Sequence, residues 1–263
     1  MKRFEGKKVI IIGASGGLGG AYARAFAAEG ARLTLAARTP TTLIDLAKEI
    51  GGSVATVDLT NGEGLNSLRD QVVKTEGQID VVVNATGFSP RKRLELLTDE
   101  EIQRTLNTNL LGAILVTRTF APDMRRAGGG VIAHMGGYAD GRLAFPFFSA
   151  DVATRAGIMS FSEAVNREYR GTGVTVLFFS PSPAETEAEK PFHPMWRKLG
   201  QPVVPVEKVA AALLNAVAKK KKIHIMGGLL PVVFSRLNDI YPRLTEVAMI
   251  NRYRGILARF LDK

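Results

Sequence analysis

A chain of 263 residues that is 46% hydrophobic can bury the core of one large α/β domain, and with no cysteine it has no disulfide, thiolate nucleophile or cysteine-based zinc site. The formal charge is +10, and residues 219–263 hold ten Lys and Arg against three acids, which suits either an anionic surface or a solvated tail. No run approaches the ~18–20 apolar residues of a membrane-spanning helix and no signal peptide is evident; His134, His193 and His224 are too scattered for a metal site, so a cytoplasmic protein without metal is expected.

Apolar runs and breakers divide the chain into alternating strands and helices. A strand over 7–12 leads into a glycine-rich turn, Gly13, Ser15, Gly16, Gly17, Leu18 and Gly19, and a helix over 18–29 closes at Gly30. Next come a strand over 32–37, a helix over 42–50, a strand over 54–59, a helix over 65–75 and a strand over 79–84. Thr98 and Glu101 form a capping box, in which hydroxyl and carboxylate satisfy free amides at the helix start. The helix they open is predicted to run unbroken to about residue 124. A strand over 131–135, a helix over 148–170, a strand over 174–180, a helix over 206–218 and a strand over 223–226 complete the pattern.

The strands are continuous apolar runs, as expected when helices cover both faces of a sheet. Repeated β-α-β units then give a doubly wound, Rossmann-like parallel sheet of about seven strands. Residues 1–226 are expected to form one dinucleotide-binding and catalytic domain, with 227–263 as a basic helical extension packed on it. Ligands of such sheets bind beyond the carboxyl ends of the strands. Those ends carry Gly13, Arg38, Asp58, Asn84, Gly136 and Pro181. Between strand and helix, glycines let the backbone approach a pyrophosphate, whose charge meets the free amides and dipole of the helix.

The spacing Gly13-x-x-x-Gly17-x-Gly19 resembles that of the short-chain dehydrogenase/reductase family, and the resemblance runs over roughly residues 5–226. Asn84, Ala85, Thr86 and Gly87 resemble the family's Asn-Asn-Ala-Gly segment, departing from it at Ala85 and Thr86. Asn109 with Gly112 matches its Asn-x-x-Gly, Asp58 and Leu59 look like its adenine-contacting pair, and Pro181 with Thr186 resembles the segment beside the nicotinamide. The resemblance implies an oxidoreductase that binds a nicotinamide dinucleotide and forms dimers or tetramers through its long central helices. At the end of the second strand Ala37 stands where an acid would bind a ribose 2′-OH, and Arg38 follows. A guanidinium matches phosphate geometry, so Arg38, with Ser15, points to NADP(H); the alternative is a surface arginine without a ligand.

At the reacting end the resemblance breaks. The family's general acid/base tyrosine and its lysine four residues on fall at Asp151 and Arg155, and its serine at Gly136 or Gly137. Of the usual four catalytic residues only Asn109 remains. Arg155 can still donate to a ribose. Asp151, of a type whose ordinary pKa is about 3.9, is a possible base and a poor acid; the alternative is a simple i,i+4 ion pair with Arg155. Tyr138 and Ser149 are the other candidates for proton transfer, while His134 reads as a core histidine.

The segment 185–201, with Phe192, Met195 and Trp196, reads as a lid over a bulky apolar substrate, or as ordinary packing. In the tail, Val247, Ile250, Tyr253, Ile256, Leu257 and Phe260 recur at helical spacing among arginines. Such a helix covers the chain's own body or lies on an anionic membrane as a peripheral contact. No recognition motif accompanies the charge, so nucleic acid is not an expected partner. The expected function is NADP(H)-dependent hydride transfer to or from a carbonyl, alcohol or enone. The alternative is a catalytically silent NADP(H)-binding sensor or partner subunit.

Overall fold

β1 (Lys8–Ile12), β2 (Arg32–Ala37), β3 (Ser53–Thr56), β4 (Val81–Asn84), β5 (Gly130–Met135), β6 (Val174–Ser180) and β7 (Ile223–Ile225) pair in parallel, in the order β3-β2-β1-β4-β5-β6-β7. The computed structural model describes residues 2–137 and 141–262, apart from the side chains of residues 229–231, 244, 248 and 252. The expected Rossmann-like parallel sheet is the fold of this chain.

The apolar strands dictate helices on both faces. From β1, Val9 and Ile11 enter the core beneath α1 (Gly17–Ala28) and α2 (Ile44–Ile50), whereas Ile10 and Ile12 enter the opposite core. That second core lies under α3 (Gly62–Glu76) and the later α5 (Gly112–Arg126). Ile10 and Ile11 are fully buried, and each side chain of this kind contributes about 1.5–3 kcal/mol. Strand order reverses about β1 and β4: Ile12 pairs with Ala36 on one side and Asn84 on the other. The crevice opened there is where a ligand belongs.

Three elements differ from the sequence expectation. The strand expected over 54–59 stops at Thr56, because Asp58 turns the chain by accepting from the amide and hydroxyl of Thr60. The helix opened by the capping box is interrupted. α4 (Asp99–Thr105) passes into a π-helical turn, Leu106–Leu111, before α5 begins. Such wide turns concentrate at functional sites, and this one carries Asn109, whose side chain is buried. After α6 (Ser149–Glu168), α7 (His193–Lys198) and α8 (Val206–Ala218), the tail forms several pieces. They are α9 (Leu229–Ile240), α10 (Pro242–Ala248), a π turn (Met249–Arg254) and α11 (Gly255–Leu261). Pro242 forces the break, since it lacks the amide that would continue α9.

The tail folds over the lid. Met249, Leu257 and Leu261 join a separate apolar cluster with Phe145, Phe148, Met195 and Trp196. Much of the predicted apolar stripe therefore faces inward, with Tyr253, Ile256 and Phe260 packed on that cluster.

His134 of β5 is the core histidine its place in a strand suggests. Asn84 Nδ2 faces its Nδ1 at 3.5 Å, and its Nε2 lies 2.8 Å from the Thr117 hydroxyl, which itself donates to the Ala113 carbonyl. Asn84 thus donates to Nδ1 and the ring proton sits on Nε2. Burial pushes the imidazole pKa down to about 3. An unfolded histidine takes up its proton below about 6.5, so the stability held by neutral His134 is present above that pH and is lost as pH falls toward 3. Urea unfolding at stepped pH should show this as an extra slope of up to about 1.4 kcal/mol per unit. The slope should be absent in His134→Asn, and equal slopes in both proteins would exclude this histidine as the cause.

Candidate active site

Two cavities meet beyond the carboxyl ends of the strands, one of about 810 Å³ and one of about 460 Å³. They share Gly16, Ala85, Thr86, Gly87 and Phe88. Gly13, Ser15, Arg38, Asp58 and Leu59 line the larger. Gly17, Leu18, Gly19, Pro181 and Thr186 line the smaller, together with Asp151 and Arg155. Apart from Asn84, every residue expected to hold a cofactor therefore lies along one continuous cleft. Asn84 is buried behind it: its Oδ1 accepts from the amide and hydroxyl of Thr86 and shapes the loop from within.

The turn after β1 fits a pyrophosphate. Gly13 holds φ +82°, and a Cβ on Gly19 would collide with the Gly13 carbonyl oxygen, so both positions exclude a side chain. The first turn of α1 contains no acid and its N-cap, Gly16, brings no side-chain cap. Its amides and dipole are left for an anion. Thr186 closes over the turn, since a Cβ on Gly17 would stand 2.8 Å from its Cγ2. At the far end, the Thr60 hydroxyl and then its amide hold the Asp58 carboxyl below the usual range, with the charge of Arg38 adding to them. Arg38 itself is exposed and makes no ion pair among the described residues. It is available to a phosphate.

The reacting end is built on Asn109. Its Oδ1 accepts from the Phe88 amide at 2.9 Å, and its Nδ2 is shared among Phe88 O at 2.9 Å, Thr154 Oγ1 at 3.1 Å and Asp151 Oδ1 at 3.3 Å. Arg155 Nε donates to the same Asp151 oxygen at 3.2 Å, and its Nη1 to the Met135 carbonyl at 2.8 Å. Asn109, Asp151 and Arg155 are thus brought together. Thr154 and Met135 complete the set, and nothing in the sequence marks either of them.

The two positions at which the resemblance would put a serine are closed rather than empty. A Cβ on Gly136 would strike the Phe178 ring, and one on Gly137 would stand 2.8 Å from Arg155 Cγ. Ser149 is exposed on the first turn of α6 and lines neither cavity. Tyr138 lies outside the described residues.

The segment 185–201 forms a short 3₁₀ turn, Lys190–Phe192, followed by α7, and it walls the smaller cavity with Glu189, Phe192 and Trp196. Arg91, from the loop after β4, clasps it. Arg91 Nη2 donates to Glu189 Oε2 at 2.8 Å, and Trp196 Nε1 donates to the other Glu189 oxygen. The guanidinium carbon lies 4.0 Å from the Phe192 ring centre and 5.7 Å from those of Phe148 and Trp196. Arg91 Nε and Nη1 are buried without a hydrogen-bond partner among the described residues. Contact with the ring faces offsets part of that loss. Residues 90–93 are expected from the sequence to help wall the substrate site, but the clasp itself was not legible there, because Glu189 lies 98 residues from Arg91.

The family model for short chain dehydrogenases matches residues 7–195. The chain belongs to the short-chain dehydrogenase family of oxidoreductases. It is 30% identical over 270 residues to the dehydrogenase/reductase SDR family member 7B of Danio rerio, covering 95% of this chain and 86% of that one. It is 33% identical over 186 residues to the ketoacyl reductase HetN of Nostoc sp., covering 69% of this chain and 64% of that one. A short-chain dehydrogenase from Streptomyces avermitilis superposes with a TM-score of 0.78 at 27% identity, covering 94% and 97% of the two chains.

Trp196 is the sole tryptophan, so the clasp can be watched directly. Arg91→Met should shift its emission to the red and raise its quenching by acrylamide, with Glu189→Gln doing so less. Emission and quenching unchanged in Arg91→Met would show that the lid does not depend on this pair.

Proposed function

We propose that this protein is an NADP(H)-dependent oxidoreductase acting on a carbonyl, alcohol or activated double bond of a bulky apolar molecule. The observation that carries the reading is the exposed Arg38 beside Ser15 in the larger cavity, without an ion pair among the described residues and with no acid at the end of β2 to repel a 2′-phosphate. The glycine turn would hold the pyrophosphate, Asp58 and Leu59 the adenine, Thr186 and Pro181 the nicotinamide side, and Arg155 the ribose. Bound NADP(H) would supply or accept the hydride.

Asp151 is the proton-handling residue on this reading. As a carboxylate it accepts a proton from an alcohol, and Arg155 and Asn109 fix its Oδ1 beside the cavity. Positioned proton transfer of this kind typically contributes ~10²–10⁴-fold. Phe88, Phe145, Phe148, Phe192 and Trp196 line the smaller cavity and favour an apolar substrate. Leu106, Leu111 and Ile114, exposed along the central helix, favour a homo-oligomer. The remaining partners are the small-molecule substrate and a membrane surface met peripherally by the tail, in a cytoplasmic setting.

A second reading has one observation of its own. Gly136 and Gly137 are packed against Phe178 and Arg155, so neither position has room for the side chain the resemblance would put there. An NADP(H)-binding protein that turns nothing over would tolerate the same packing.

Fluorescence titration should find NADPH bound at least about tenfold more tightly than NADH, with Arg38→Ala removing most of the difference and leaving NADH binding unchanged. Absence of binding by either dinucleotide would refute both readings. With NADPH and NADP⁺, a panel of apolar carbonyls, enones and alcohols should be turned over by the native protein. Asp151→Asn should slow this by about 10²-fold or more without weakening NADPH binding. Equal turnover in the variant would remove Asp151 from the chemistry, and no turnover in the native protein would favour the silent reading.

A further inference from the structure

The tail turns one set of apolar side chains onto the lid and a different set outward. On α9 the outward set is Val233, Leu237 and Ile240, spaced i, i+4, i+7, so they form one stripe along the helix. Ile240 and Tyr241 are 66% and 59% exposed at the turn between helices, and Val247 and Ile250 follow at 62% and 45%. Six of the large apolar side chains exposed on the described chain thus fall within eighteen consecutive residues. A grouped exposure of this kind marks an interaction surface.

The hairpin that presents them is internally tied. The Thr245 hydroxyl bonds Asn238 Oδ1 at 2.6 Å and the Pro242 carbonyl at 3.0 Å, while Ser235, Thr245 and Met249 are buried on its inner side. The outward apolar stripe is therefore the free face of a formed structure rather than a frayed end.

Charge decides the occupant. Arg243 and Arg254 flank Val247 and Ile250 along α10 and the π turn, and all four are exposed. Arg243, Arg254 and Arg259 have no ion-pair partner among the described residues, and Glu246 is the one nearby acid without a cation. A second copy docked through this face about a two-fold axis would bring two arginine-rich, net positive surfaces together. An anionic bilayer surface satisfies both the apolar stripe and the charge. Among the described residues no helix is long and apolar enough to cross a membrane, so the contact is peripheral.

We infer that the outer face of α9, α10 and the following π turn docks on an anionic phospholipid surface. The inference rests on the proposed reading of the smaller cavity and extends it. On its inner side the π turn sets Tyr253 edge-on to Phe145 at 5.3 Å, and α11 just beyond it joins the Trp196 cluster through Leu257, so the tail that touches lipid packs behind two residues that line the apolar cavity. The substrate class this placement selects is a membrane-resident apolar carbonyl or alcohol.

Co-sedimentation of the full chain with vesicles tests it. Binding should be strong with phosphatidylglycerol-containing vesicles, weak with pure phosphatidylcholine, and reduced by 0.5 M salt, which shortens the Debye length to about 4 Å. Leu237→Asp with Ile240→Asp should weaken binding about tenfold or more, as should Arg243→Glu with Arg254→Glu. Unchanged Trp196 emission and NADPH affinity would show that each variant remains folded, and Ile240→Ser serves where the double variant does not. Absence of binding to anionic vesicles overturns the inference, as does a native oligomer that Leu237→Asp with Ile240→Asp splits into monomers. Because NADPH affinity is read on the same samples, failure of membrane docking is distinguishable from failure of the oxidoreductase reading.

Discussion

The side-chain amide of Asn109 is the joint on which the reacting end of this protein depends. It pairs with both backbone polar atoms of Phe88, which holds the loop after β4 against the central helix. The same nitrogen reaches Thr154 and Asp151 on α6, and Arg155 carries the network on to the carbonyl at the end of β5. Four segments that are distant in sequence meet through one buried side chain. Away from water such bonds are stronger, and an orphaned Phe88 amide or carbonyl would cost about 1–3 kcal/mol. The π turn follows from this demand, because it places Asn109 within reach of both partners.

The two halves of the cleft differ in what their close packing excludes. At the nucleotide end, close approaches exclude side chains where a pyrophosphate belongs: Gly13 beside Thr86, Gly17 beside Thr186, and Gly19 beside the Gly13 carbonyl. At the reacting end the same device excludes a hydroxyl. Gly136 is filled by Phe178 and Gly137 by the stem of Arg155. Arg155 is held by Asp151 and Met135 and is almost wholly buried, so it is part of the floor and not a loose substitute. Under the proposed reading, a dinucleotide occupies the first half and Asp151 handles the proton in the second.

Most of the fold was legible in the sequence because it is local. Continuous apolar strands, glycine turns and capping residues each act within a few positions, and β2 and β6 have the bounds that the apolar runs predict. That the residues expected at a cofactor line one cleft has the same origin, since they stand at the ends of strands in a motif of short spacing. What was not legible is long-range. The π turn at Asn109, the Arg91–Glu189–Trp196 clasp and the closure of Gly136 by Phe178 each require partners that meet only in the folded chain. The tail shows the limit most plainly. Its helical periodicity was correct, but which apolar residues face inward depends on the lid and on the break at Pro242.

The central claim is that the rearranged set of Asp151, Arg155 and Asn109 stands at the reacting atom of a bound dinucleotide. A crystal structure of the protein with NADPH tests it most directly. The account predicts the 2′-phosphate against Arg38, the nicotinamide ribose against Arg155, and the Asp151 carboxylate within hydrogen-bond reach of a substrate placed at nicotinamide C4. A nicotinamide ring facing away from Asp151, or a phosphate that leaves Arg38 in solvent, would contradict it.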